Sequence, residues 1–139
     1  NPDAIDQARK NADTLELDVN FIVADLFEYS FESADIIVSN PPYIPVSECK
    51  DMEEHVMAYE PEGALFVPDN KPLLFYDAIF ALGKKIFMNR RGWLAFEIHH
   101  LFGEEMKLLG VKHCAKEVKL IQDLQGKDRM LFARYGRTD

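Results

Sequence analysis

Two adjacent prolines close a short apolar run in the first third of this chain, and that junction constrains the fold more than any other feature. Asp35-Ile36-Ile37-Val38-Ser39 is apolar at consecutive positions instead of alternating. Such runs are typical of strands in parallel sheets covered on both faces by helices. Asn40 and Pro41 each precede a proline, which pushes both into extended backbone. Neither Pro41 nor Pro42 has an N–H. The strand must stop at Asn40, and the carbonyls beyond it have no neighbouring donors of their own to pair with.

The remainder of the chain alternates between helical and extended patterns. Asn1-Pro2-Asp3 sets a capping side chain and a proline at a helix start. Ile5, Ala8, Ala12 and Leu15 then recur at three- and four-residue spacings, predicting an amphipathic helix over 3–15. Residues 19–24 read as a short strand ending at Asp25. From Asn40 to Asp69 the chain reads mostly as loop, with a short helix within 47–57. Residues 72–88 carry a broad apolar face at helical spacing, and Arg90-Arg91-Gly92 turns into a strand over 93–98 whose only charged residue is Glu97. Residues 101–109 read as a helix stopped at Gly110. The segments 117–121 and 130–135, split by Gly126-Lys127-Asp128, read as an antiparallel hairpin. This order predicts a three-layer α/β domain with a mostly parallel sheet and a terminal antiparallel hairpin.

Composition narrows the function classes. At 139 residues, 47% hydrophobic and 29% charged, the chain fits one globular domain with a real core. Its apolar runs are too short to span a bilayer, and no secretory pattern opens it, so a cytoplasmic location is expected. Acidic residues outnumber basic ones 24 to 16 for a net charge of −8. Nucleic acid is therefore disfavoured as the main partner, because phosphate contacts need clustered Lys and Arg. Cys49 and Cys114 form no CxxC pair and read as free thiols. His99 and His100 are adjacent and are expected to face different ways, and there is no HExxH or Cys/His set, so no metal site is expected.

The chemistry concentrates at Asn40-Pro41-Pro42-Tyr43. In open α/β sheets ligands bind outside the carboxyl ends of the strands, which is where this tetrapeptide falls. It presents the Asn40 side-chain oxygen, a rigid main-chain carbonyl and an aromatic ring. A planar NH2 group can donate both hydrogens to the two acceptors while its flat body packs on Tyr43. Held so, its nitrogen faces an incoming methyl group, and the cationic form that develops during transfer is favoured without a strong base. A proline turn that only ends a strand would use the same residues; the position after an apolar strand favours a site. Asp25-Leu26-Phe27 could offer a carboxylate to an adenine amino group and an apolar lining to its ring, or equally form a surface turn over a core Phe.

The stretch Ile36-Ile37-Val38-Ser39-Asn40-Pro41-Pro42-Tyr43-Ile44-Pro45 resembles the protein-(glutamine-N5) methyltransferases that modify peptide chain release factors. The likeness continues in Pro2-Asp3-Ala4, Asp25-Leu26-Phe27, Tyr59-Glu60-Pro61, Leu74-Phe75-Tyr76, Gly92-Trp93-Leu94 with Glu97-Ile98, and Gly126-Lys127-Asp128-Arg129. The resemblance implies methyl transfer from S-adenosylmethionine to a glutamine side-chain amide in the Gly-Gly-Gln loop of a release factor, the protein partner. It places the amide NH2 on Asn40 and the Pro41 carbonyl, with Tyr43 against the glutamine. It places the cofactor's adenine at Asp25 and Leu26, with Asn40 facing both substrate and cofactor. The family's glycine-rich strand end and the acidic residue that grips the ribose would lie before Asn1. The chain thus reads as a partial catalytic domain over 1–139, truncated at its amino end, expected to bind cofactor weakly or not at all. An open sheet of that kind would also favour association with a second copy. Two other readings stay open: an N6-adenine DNA or N2-guanine RNA methyltransferase, and a non-catalytic interaction domain of the same fold.

Overall fold

The computed structural model describes residues 1–30, 33–51 and 59–136, which fall into two units, Asn1–Ser30 and Phe31–Asp139. In the first unit, helix α1 (Pro2–Thr14) begins where the Asn1 side chain accepts a hydrogen bond from the Asp3 amide at 2.9 Å. Ala12 is its buried residue. The helix ends as the Leu17 amide donates back to the Ala12 carbonyl at 2.9 Å, with Glu16 in the left-handed region at φ 53°. The strand expected over 19–24 does not form. A strand exists only through its ladder, no described residue pairs with this segment, and Val19, Ile22 and Val23 are each about half exposed.

The second unit is built on a four-stranded sheet in the order β1-β4-β6-β5, with β1 (Ile36–Ser39), β4 (Gly92–Glu97), β5 (Glu117–Gln122) and β6 (Asp128–Tyr135). β1 runs parallel to β4; β6 is antiparallel to both β4 and β5. A separate two-stranded ladder pairs β2 (Ile44–Pro45) in parallel with β3 (Phe66–Val67). The α/β class and the closing hairpin are thus as expected, and the parallel pairing lies in β1–β4 and β2–β3. Between these strands lie the short helix α2 (Glu62–Leu65) and the longer helices α3 (Leu74–Phe87) and α4 (Gly103–Lys112). The Val46–Asp51 stretch is a tight 3-10 helix, and the rest of the helix expected within 47–57 lies outside the described residues. No described helix is long and apolar enough to cross a membrane.

Helices α3 and α4 pack on the sheet through Phe80, Met106, Leu94, Leu131 and Ala133, all with no measurable exposure. Each large apolar side chain buried in this way contributes roughly 1.5–3 kcal/mol. Helix α4 does not stop at Gly110 but runs to Lys112. Gly110 serves packing instead, because a Cβ there would sit 2.7 Å from Val118 Cγ2. The stop falls at Cys114, which takes φ 68° while the Ala115 amide donates to the Gly110 carbonyl, the left-handed closure that usually falls to glycine. In the β5–β6 turn the Asp123 carboxylate accepts from the Gln125 and Lys127 amides, and Gly126 has φ 78°.

β1 departs from expectation in one respect. Its residues alternate between exposed and half-buried, with Ile36 61% and Val38 77% exposed, so it is not covered on both faces. β1 has one neighbour, β4, and among the described residues nothing lies over the face that carries Ile36 and Val38.

Candidate functional site

Because β1 and β4 are parallel and Ser39 stands opposite Phe96, Asn40 and Glu97 leave the sheet side by side at the same carboxyl edge. Asn40 is exposed, and neither its side chain nor the Pro41 carbonyl takes a hydrogen bond from any described residue. Pro41 is buried and Pro42 half-buried, so the bend is seated in the protein while the amide of Asn40 is left outward. The Tyr43 amide donates to the Leu65 carbonyl at 3.2 Å, and the β2–β3 ladder follows at once. These bonds fix the chain where it leaves the prolines. The structure thus brings all four residues of the predicted tetrapeptide to one strand end, with two open acceptors beside a half-buried ring.

Several residues that sequence reasoning left without a role complete this edge. The Tyr43 hydroxyl donates to Glu97 Oε1 at 2.9 Å, and the Tyr76 hydroxyl to the Glu97 main-chain oxygen at 2.8 Å. Burial, then the hydrogen bond and charge of Glu97, push the Tyr43 phenol up to about 12. Burial likewise raises the Tyr76 phenol. The Arg129 guanidinium lies 3.5 Å from the same Glu97 oxygen and 3.9 Å from Asp123 Oδ2. His99 is buried, with Nε2 3.0 Å from Glu48 Oε2 and Nδ1 accepting from the Leu101 amide at 3.3 Å. With Nδ1 an acceptor, Nε2 carries the proton toward Glu48. The Tyr43 and His99 rings meet edge to face at 6.1 Å. The signal available for Glu97 was its place as the lone charge ending an apolar strand. His99 and His100 do not face different ways: their rings stack at 4.8 Å, because the chain turns from β4 straight into a short 3-10 helix. Among the described residues no group of three His, Cys, Asp or Glu is placed to hold a metal ion.

Asp25 and Leu26 belong to the first unit. Asp25 Oδ1 accepts from the Phe27 amide at 2.8 Å, and the Asp25 carbonyl from the Tyr29 amide at 2.8 Å. This is a local turn that leaves the second carboxylate oxygen free of any hydrogen bond from the described residues. Leu26 is half-buried and Phe27 exposed. Tyr59, Glu60 and Pro61 are exposed as well. A cavity of about 730 Å³ lies at the other end of the sheet, near Arg90, Arg91, Lys84, Lys116 and Tyr135. It sits at the amino end of β4, where the parallel-strand rule places no ligand, and its Arg90 is paired with Asp35.

No protein-family model matches the chain. Curated proteins do. A release factor glutamine methyltransferase of Bacteroides thetaiotaomicron is 42% identical over 134 residues, covering 94% of this chain and 48% of that protein. One of Flavobacterium psychrophilum is 41% identical over 134 residues, covering 95% and 47%. One of Lactococcus lactis is 35% identical over 133 residues, covering 95% and 48%. The chain spans about half the length of the curated relatives it matches, and it resembles them along nearly the whole of its own.

Proposed function

We propose, from this kinship with release factor glutamine methyltransferases and from the geometry of the edge itself, that the chain is part of a methyltransferase catalytic domain. It holds a glutamine side-chain amide of a peptide chain release factor for methylation. The observation that carries the reading is the pair of open acceptors, the Asn40 side-chain oxygen and the Pro41 carbonyl, at the carboxyl edge of two parallel strands beside Tyr43.

An amide nitrogen is a poor nucleophile because its lone pair is delocalised into the carbonyl. Two fixed acceptors hold both of its hydrogens, which sets the direction of the lone pair and stabilises the positive charge that grows on nitrogen during transfer. The half-buried Tyr43 ring gives the flat amide a surface to lie on. S-adenosylmethionine, when bound, supplies an electrophilic methyl group. Asp25, through its remaining carboxylate oxygen, and Leu26 suit an adenine ring, and Asn40 faces both substrate and cofactor in this reading. The partly parallel α/β architecture supports a three-layer methyltransferase fold.

The test is transfer of labelled methyl by the full-length gene product that contains this chain. The expected result is label on a release factor and none on DNA or RNA. Label on nucleic acid alone would replace the glutamine amide with an exocyclic base amine, which poses the same chemical problem.

A further inference from the structure

The segment that would carry the substrate and the strand that carries Glu97 differ in how firmly they are held. Asn40-Pro41-Pro42-Tyr43 follows β1, which has one neighbour among the described residues. Glu97 ends β4, which is paired on both sides and keeps Leu94 and Phe96 in the core. The backbone around Glu97 is fixed twice more. The Tyr76 hydroxyl donates to its carbonyl at 2.8 Å, and the next amide, of Ile98, donates to the Arg129 carbonyl at 2.9 Å. The Glu97 side chain is then aimed by Arg129 at 3.5 Å, itself steered by Asp123 at 3.9 Å. One hydrogen bond joins this framework to the outer edge of the Tyr43 ring, the 2.9 Å bond from the Tyr43 hydroxyl to Glu97 Oε1.

We propose that Glu97, oriented by Arg129, is a positioning residue for methyl transfer, fixing the plane of the Tyr43 ring on which the substrate amide lies. This role rests on the glutamine-amide reading above. The ring is half-buried and meets His99 edge to face at 6.1 Å. The hydroxyl bond ties its outer end to the end of β4. A ring that tilts by a fraction of an ångström misplaces the amide nitrogen, and a 1 Å error in a reacting geometry can lower a rate about a hundredfold. The raised phenol of Tyr43 agrees with a hydroxyl that keeps its proton to donate. The hairpin thereby acquires a purpose at the site, since Arg129 enters from β6 and Asp123 from the turn before it.

The role separates from plain stability by coupling. Methyl transfer to a release factor is measured with the full-length gene product as wild type, Tyr43→Phe, Glu97→Ala and the double variant, with Glu97→Gln and Arg129→Ala beside them. Tyr43→Phe and Glu97→Ala are each expected to lower kcat by about tenfold, within the range of such misplacements, with KM for S-adenosylmethionine unchanged. The double variant is expected to fall no further than the worse single one, because both remove the same bond. Glu97→Gln, which keeps an acceptor, should fall less than Glu97→Ala, and Arg129→Ala less again. Losses that multiply in the double variant, or Tyr43→Phe at full activity beside an impaired Glu97→Ala, would overturn the role while leaving the glutamine reading intact. A wild type that transfers no methyl to the release factor would overturn that reading and this role with it. Should Glu97→Ala fail to fold, Glu97→Leu, which also removes the acceptor, is run against Tyr43→Phe to give the same coupling. The phenol titration of Tyr43, taken as wild type minus Tyr43→Phe, should fall part of the way toward the ordinary tyrosine range in Glu97→Ala, since burial remains, and an unchanged titration would count against the bond.

Discussion

The two parallel neighbours β1 and β4 are close opposites. β4 lies inside the sheet, with ladders on both sides and helix α3 against it, and buries Leu94 and Phe96 almost completely. Among the described residues β1 has a single ladder, and it leaves Val38 77% exposed. The candidate site is assembled where the two end, with Asn40 from the open strand and Glu97 from the packed one. The difference teaches that, among the described residues, one side of the candidate site stands on a strand paired on both flanks and the other on a strand with one described neighbour.

Stability measurements sharpen this contrast. Leu94→Ala removes a fully buried side chain from β4 and is expected to cost about 2–5 kcal/mol in urea unfolding of the chain. Val38→Ala, one residue from the site on β1, is expected to change stability by less than about 0.5 kcal/mol, as exposed positions do. Equal losses at the two positions would mean that β1 is packed as tightly as β4, and the comparison would break.

A smaller effect belongs to the packed half. Asp77 on α3 accepts from His113 at 2.8 Å and from Lys112 at 2.9 Å, tying α3 to the end of α4. The hydrogen bond from His113, then that from Lys112, holds its carboxyl below the ordinary value of 3.8. A depressed carboxyl stabilises the fold above its unfolded-state value, and that contribution is lost as pH falls through the folded one. Asp77 is half exposed, so the expected loss is under about 1 kcal/mol. Denaturant midpoints measured down an acid series should show a shallower decline in Asp77→Asn than in the wild type below pH 3.8, and identical slopes would remove the pair from the account.

Local signals made much of this molecule legible. The capped start of α1, the apolar face of α3, the hairpin and the strand stop at Asn40 all follow from residues near each other in sequence. What was not legible depends on partners far along the chain. Residues 19–24 have the composition of a strand, but composition supplies no ladder partner. Ile36 to Ser39 reads as doubly covered, yet only a neighbouring element can cover a face. Gly110 looked like a helix stop, and the left-handed residue turned out to be Cys114, because the contact that demands a glycine comes from Val118 across the packing interface. At the candidate site the tetrapeptide is contiguous in sequence, whereas the Glu97–Tyr43 bond spans 54 positions and the His99–Glu48 bond 51. No local pattern encodes either.

Whether Asn40 holds an amide for methylation is tested most directly by the rate of methyl transfer to a release factor glutamine in a single turnover. The full-length gene product would be compared with its Asn40→Ala variant under saturating S-adenosylmethionine. Loss of an aligned transition-state contact predicts a fall of about a hundredfold or more with the fold intact. A variant that methylates the glutamine at the wild-type rate would contradict the account.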